Sequence, residues 1–229
     1  MKPPALFVAG TDTGVGKTRV AAALCRALRA RGLSVGIFKP AETGCADPSR
    51  PADALTLAAA AGCRAPLDTV CPYRFREPLA PAVAASRAGA SIDPARLARC
   101  LQALAAGHDA VVVEGAGGLL VPLTPELLTV DWVARSGLPV LLVGRLGLGT
   151  LNHTLLSARY LRGREVPFLG TVLSAVEPPS TVSEATNPQV LAAFPEVALL
   201  GVLPHGARAE LPAAAVDAAA RAVGWAVET

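Results

Sequence analysis

The 229-residue sequence predicts a doubly wound α/β fold around a mostly parallel sheet. Three observations carry that expectation. Apolar runs of strand length alternate with helical patterns along most of the chain. AVVVEG (110–115) and PVLLVG (139–144) are continuously apolar, as strands buried on both faces are. GTDTGVGKT (10–18) joins the first apolar run to a helix through a glycine-containing turn, the unit that such sheets repeat.

Taken in order, ALFVA (5–9) is the first strand, and the helix over 17–31 repeats Val20, Leu24 and Leu28 at helical spacing before Gly32 stops it. SVGIF (34–38) is the second strand. Helices follow around 53–61 and from about 94 to 106, on either side of a less regular stretch. After the two apolar strands come a helix over 150–162 and the strands FLGTVLS (168–174) and ALLGVLP (198–204). AAAVDAAARAVG near the C-terminus is an amphipathic helix. Residues 40–52 and 72–91, rich in proline and small residues, are expected to be long loops over the carboxyl ends of the strands, where loops usually carry function. The length and the absence of an internal repeat predict one domain over residues 1–229.

Bulk composition narrows the function classes. A hydrophobic fraction of 52% supports a substantial core, while a net charge of +3 with scattered Lys and Arg argues against a nucleic-acid partner. No apolar run approaches the roughly 18 residues of a membrane span, and MKPPALFVAG reads as a first strand rather than a signal peptide. Cys25, Cys45, Cys63, Cys71 and Cys100 form an odd set without a CxxC pair, and the three histidines have no metal spacing. A reduced, cytoplasmic, soluble protein is the expectation.

The chemistry gathers at strand ends. In GTDTGVGKT, the backbone N–H groups of Thr13, Gly14, Val15 and Gly16 can wrap phosphates, Lys17 can meet β/γ oxygens, and the Thr18 hydroxyl can reach Mg²⁺. The usual GxxxxGK[ST] pattern wants glycine at position 11. Thr11 stands there instead, which marks a subclass without removing the amides that bind phosphate. This defines a sheet of the phosphate-loop NTPase type. One group of such proteins carries a second lysine, as in KGGxGKT; the matching residue here is Asp12, which argues against a partitioning-type nucleotide switch. FKPAETG (38–44) ends the second strand with Lys39 and offers Thr43, so the lysine is expected beside the γ-phosphate. VVVEGAGG (111–118) ends a buried strand with Glu114, where a metal-holding acid is expected, followed by the small residues Gly115, Ala116 and Gly117. Asp53 is either a helix cap or a second carboxylate for the metal. GLGTLNHT (147–154) opens a helix whose free N–H groups at Gly149, Thr150 and Leu151, with the Asn152 amide, can take a carboxylate.

Together GTDTGVGKT, FKPAETG, the Asp53 helix, EGAGG and GTLNHT resemble the dethiobiotin synthetase family of biotin biosynthesis, from residue 6 to about 204. Any one of the motifs is shared with neighbouring families; the set of five is specific. The resemblance implies a homodimeric, Mg²⁺-dependent ligase that closes a cyclic urea on 7,8-diaminononanoate with CO₂ and a nucleoside triphosphate, ATP in the first instance. It implies catalytic roles for Lys39, Lys17 and Thr13, metal ligands Thr18, Asp53 and Glu114, and a substrate site of Thr43 with residues 149–152, reached across the dimer. A base contact is implied for Ser174, Pro204, His205 and Gly206.

Three departures bear on this. Gly14 replaces the family's common glutamate, and Thr43 replaces a frequent serine while keeping the hydroxyl. Ser174 and Ala175 stand where many members have Asn-Asp, whose asparagine pairs with adenine through donor and acceptor together. A serine cannot make that bidentate pair, so ATP, CTP and GTP are expected to serve within about tenfold of one another. Asn187 and the backbone near Pro204 and His205 are candidate substitutes. The rival enzyme class, the cobyrinate-type amidating synthetases, appends a glutaminase domain for which 229 residues leave no room.

Overall fold

A computed structural model describes residues 3–206 and 208–225. The elements in chain order are β1 (Ala5–Gly10), α1 (Lys17–Ala30), β2 (Val35–Phe38), β3 (Ala41–Thr43), α2 (Ala52–Ala61), α3 (Leu67–Val70), β4 (Tyr73–Phe75), α4 (Pro81–Arg87), α5 (Pro94–Gly107) and β5 (Ala110–Gly118). They continue with β6 (Pro122–Thr124), β7 (Leu127–Leu128), α6 (Thr129–Ser136), β8 (Val140–Arg145), α7 (Thr150–Gly163), β9 (Phe168–Ser174), α8 (Val182–Ala192), β10 (Leu199–Leu203) and α9 (Ala213–Val223).

The main sheet has the order β10-β9-β8-β1-β5-β2, and all its pairings are parallel. Its central strands are buried along both faces, which explains their continuous apolar sequence. The main core runs from Phe7, Leu24 and Ile37 to Val143, with Trp132 against the rings of Phe7 and Phe38. A second cluster of Leu146, Ala158, Leu173, Leu191 and Val197 lies beneath α7 and α8. Among the described residues no helix is long and apolar enough to cross a membrane.

The chain leaves β1 toward β5 and β2 on one side, and later strands build outward through β8 on the other. Ligands in open α/β sheets bind at the carboxyl ends of strands where the direction of winding changes, and the loop after β1 lies there.

The two expected long loops are partly structured. Ala41–Thr43 and Tyr73–Phe75 pair as a short parallel ribbon, held by burial of Tyr73 and Phe75. Residues 81–87 form α4, started by Pro81, whose missing N–H and fixed φ suit a first helical turn. Helices α6 and α8 also arise in stretches without an expected element. α8 is opened by a capping box in which Thr181 and Glu184 bond each other's backbone N–H.

Candidate active site

The ends of β1, β2 and β5 bring their polar residues into one cleft of about 520 Å³. Thr13, Gly14, Gly16, Lys17, Thr18, Lys39, Thr43, Asp53, Glu114, Gly115, Ala116 and Gly117 all line it, as do Arg19, Glu42 and Val176. The side chain of Val15 is instead fully buried in the core, so its main chain alone is available to a ligand.

The loop is shaped by its glycines. Gly14 and Gly16 take φ values of 72° and 92°, which side-chain-bearing residues rarely adopt. A Cβ on Gly10 would lie 2.7 Å from Lys17 Nζ, so Gly10 allows the close approach of the lysine. Thr11 contributes a backbone N–H to the Val143 carbonyl at 2.9 Å, tying the loop to β8. Lys17 Nζ donates to the Asp12 carbonyl at 2.9 Å. Burial lowers the Lys17 ammonium to about 8, with the nearby Glu114 charge opposing the shift and Lys39 reinforcing it. The Asp12 carboxylate meets Arg145 at 3.2 Å and accepts from the Thr13 N–H at 2.7 Å. Its negative charge is therefore paired within the chain at the position where the switch proteins carry a lysine.

Lys39 is buried between two carboxylates. It donates to Asp53 at 2.7 Å and to Glu114. Burial opposes its charge, but the two carboxylates outweigh that and raise it above the ordinary lysine range. Asp53 moves the other way: burial would raise it, and Lys39 holds it below the usual carboxylate range. Glu114 is fully buried and pushed up by that burial, with Lys39 pulling against the shift. Its Oε1 also accepts from the Thr18 hydroxyl at 3.0 Å, whereas its Oε2 has no hydrogen-bond partner among the described residues. A buried carboxylate oxygen without a donor is costly unless a ligand satisfies it, so the Thr18–Asp53–Glu114 set fits a hard divalent cation. No group of three His, Cys, Asp or Glu able to hold a metal occurs among the described residues. A cation here would take its remaining oxygens from a hydroxyl, water or phosphate, as Mg²⁺ in nucleotide sites does.

Several expected positions differ. Asp53 does not cap α2: Pro51 is the N-cap residue, and Asp53 lies inside the first turn. The cap comes from Glu42, whose two carboxylate oxygens accept from the N–H groups of Asp53 and Ala54, both at 3.0 Å. At the start of α7, Gly149 is the N-cap and the Thr150 N–H donates to the Gly147 carbonyl, so that donor is not free. The Thr150 hydroxyl is buried against Thr154. Gly149, Leu151 and Asn152 are not among the residues lining the cleft. Ser174 is not among the residues lining the cleft either. It is fully buried, packs where a Cβ on Gly16 would approach its hydroxyl to 2.4 Å, and accepts from Arg19 at 2.9 Å. Asn187 is a strut as well, its amide donating to the carbonyls of Leu146 and Gly147. The carbonyls of Pro204 and Gly206 accept from Arg19, and His205 is exposed beside Val176.

Two charged residues of the cleft escaped the sequence reading, Arg19 and Glu42. Glu42 had a signal: the α2 sequence begins after Pro51 with no side chain able to cap it, so a cap from elsewhere was required. Arg19 had none, since its partners lie more than 150 positions away.

This fold and cleft define a phosphate-loop nucleotide-binding protein. Residues 4–212 match the sequence family described as an AAA domain. The chain is 49% identical over 199 residues to the ATP-dependent dethiobiotin synthetase BioD of Anaeromyxobacter sp. (strain K), covering 87% of this chain and 89% of that protein. It is 39% identical over 210 residues to the protein of the same name from Thermodesulfovibrio yellowstonii, covering 87% and 88%. Among solved structures it resembles the MinC:MinD cell division protein complex of Aquifex aeolicus, with a TM-score of 0.57 at 14% identity over 98% of both chains. A putative plasmid partition protein of Borrelia burgdorferi gives 0.54 at 13% identity, covering 96% and 95%. At such identities these two speak for the fold alone. The chain belongs to the dethiobiotin synthetase family of ATP-dependent ligases.

Proposed function

We propose that this chain forms dethiobiotin from 7,8-diaminononanoate, CO₂ and a nucleoside triphosphate, releasing the nucleoside diphosphate and phosphate. The observation that carries the reading is Lys39, buried between Asp53 and Glu114 beside Lys17 in a cleft at the phosphate loop. Two anions, a carbamate and a γ-phosphate, have to meet there, and fixed positive charge is what lets them.

One amine of the substrate adds to CO₂ and loses a proton to give the carbamate. A carbamate oxygen then forms a bond to the γ-phosphorus as the bond to the diphosphate oxygen breaks. The second amine attacks the carbamoyl carbon, phosphate leaves with its electron pair, and the ring closes as that nitrogen loses its proton. Lys17 and Lys39 hold the phosphoryl oxygens and offset the growing charge, while Thr13 and Thr43 orient the carbamate. Mg²⁺, held by Thr18, Asp53 and Glu114, would supply further neutralisation of the phosphates. No covalent nucleophile is needed, because orientation and charge stabilisation suffice for phosphoryl transfer.

Gly149 to Asn152 lie outside this cleft, so we assign the turn they form to the substrate carboxylate of a partner subunit's site in a homodimer, with Gly149, Leu151 and Asn152 as its donors and the buried Thr150 holding the turn. We further propose a single domain over 1–229 and a cytoplasmic setting. The test is phosphate release by the purified protein: it should require diaminononanoate and bicarbonate together. Release that ignores the diamine, with no dethiobiotin formed, would overturn the reading and favour a nucleotide switch.

A further inference from the structure

Arg19, directly after the loop threonine, spends its guanidinium on the far end of the cleft. One terminal nitrogen donates to Ser174 Oγ at 2.9 Å and to the Ala175 carbonyl at 2.6 Å. The other donates to the carbonyls of Pro204 at 2.7 Å and Gly206 at 3.3 Å. All four terminal N–H donors are thereby used, and three main-chain acceptors at the ends of β9 and β10 are occupied by one cation.

The direction of the cleft makes this consequential. Lys39 and Glu114 belong to the β2 and β5 side of the sheet, with Asp53 bonded to Lys39, and Lys17 and Thr18 follow β1 in the middle, so on the proposed reading the γ-phosphate lies at the β2–β5 side. A nucleoside must then extend the other way, toward Arg19 and the half-exposed Val176, which also line the cleft. Carbonyls at that end are the natural partners of an exocyclic amine, the group that distinguishes adenine and cytosine from bases with a carbonyl there. Here those carbonyls already accept from a charged donor. The cleft lining at that end offers the base Arg19 and the apolar Val176, and a guanidinium or a valine packs on any base alike.

We propose that Arg19 sets base selectivity in this chain, by holding the acceptors an exocyclic amine would need and leaving a stacking surface indifferent to the base. Arg19 is on this account a specificity-determining residue outside the reacting centre. The proposal rests on reading the cleft as a nucleotide site, but not on which acceptor the phosphoryl group reaches.

The test is calorimetric binding of non-hydrolysable triphosphate analogues with Mg²⁺ and without diamine. In the unmodified protein, replacing adenine by purine, which lacks the amine, should change affinity by less than about fivefold. In Arg19→Ala the freed carbonyls should raise the affinity ratio of the ATP to the GTP analogue by about fivefold or more, the scale of a discriminating base contact. A larger loss on amine removal in the unmodified protein overturns the proposal, and so does a smaller change of ratio in a folded Arg19→Ala. Where that variant does not fold, the purine comparison decides alone. Binding of none of the analogues removes the nucleotide site itself. Failure of the diamine reaction leaves every one of these measurements unchanged.

Discussion

Lys39→Ala should destabilise the protein as well as disable it, because Lys39 is the counter-ion of a carboxylate with almost nothing else. In the intact protein Glu114 Oε1 accepts from Lys39 and Thr18, and Oε2 has no partner among the described residues. Removing the lysine leaves a fully buried carboxylate with a single hydroxyl donor. Breaking a buried pair in this way costs about 3–5 kcal/mol. Asp53, at 42% side-chain exposure, can turn to water once released, so the lower figure applies, about 3 kcal/mol. For a chain of this size that is a fall in melting temperature of about 6–12 °C. The pH dependence has a definite sign. Burial already raises the Glu114 carboxyl, and losing Lys39 removes the charge that opposed the rise. A carboxyl raised in the folded state stabilises the fold below its ordinary value and loses that contribution as pH climbs through the raised one. The deficit of Lys39→Ala should therefore shrink on going from about pH 8 to about pH 5. Lys39→Met combined with Glu114→Gln should recover most of it, since neither charge is then left alone. Calorimetric melting of the three proteins without Mg²⁺ is the assay. A Lys39→Ala protein melting within about 2 °C of the parent at both pH values would refute the buried-pair account. Turnover of the same variant should fall by ~10²–10³ while nucleotide affinity stays within about tenfold.

Glu42→Ala removes the cap of α2, and with no substitute at Pro51 it should lower stability by about 1–2 kcal/mol, seen as a melting shift of about 2–8 °C. A shift no larger in Glu42→Ala than in Glu126→Ala, whose side chain caps nothing, would count against that cap. Because burial depresses Lys17 to about 8, its charge is lost in the free protein as pH rises past that value, and bound phosphates restore it. Association of metal-free ATP, measured in chelator, should weaken about tenfold per unit above pH 8 until the bound-state value is reached; a flat profile to about pH 10 would contradict the depressed ammonium. If residues 149–152 serve the partner's cleft, mixing inactive Lys17→Ala with inactive Asn152→Ala should restore about a quarter of the parental rate through hybrid dimers carrying one intact site. No recovery after verified subunit exchange would confine the site to one subunit.

What the sequence disclosed follows from the range of the forces involved. The main-sheet strands and α1, α2, α5, α7 and α9 were legible because burial writes itself locally, as apolar periodicity closed by Gly32 or Gly224. Lys17, Thr18 and Lys39 were legible because each follows a strand, and Glu114 because it is the one charge in the apolar run of β5, which continues past it to Gly118. A parallel sheet brings these strands' carboxyl-terminal portions to one edge. The pairing of Ala41–Thr43 with Tyr73–Phe75 was not, since three residues carry no period and their partner lies 32 positions on. Ser174 illustrates the limit for side chains. Its position at the end of β9 was visible, but its burial beneath Gly16 and its bond to Arg19 depend on a helix 155 residues earlier. Glu42 lay within a stretch already singled out, yet its oxygens turn to the start of α2 rather than to a ligand.

The likeness to cell-division and partition proteins in fold, at 13–14% identity, sharpens the question of where function resides. A strand, a glycine turn and a helix start hold phosphate in any such protein, so the loop alone cannot distinguish a switch from a synthetase. The distinguishing charges lie around it. Asp12 faces Arg145 of the same chain, which leaves no lysine at that position to reach a neighbour's nucleotide. Lys39, by contrast, follows a different strand and is held by two carboxylates of the chain itself. A cation fixed in advance loses little freedom when charge develops on a transferring phosphoryl group, and that is where such preorganisation lowers a barrier rather than merely tightening binding. The placement of one buried lysine therefore argues for chemistry at this cleft more strongly than the phosphate loop does.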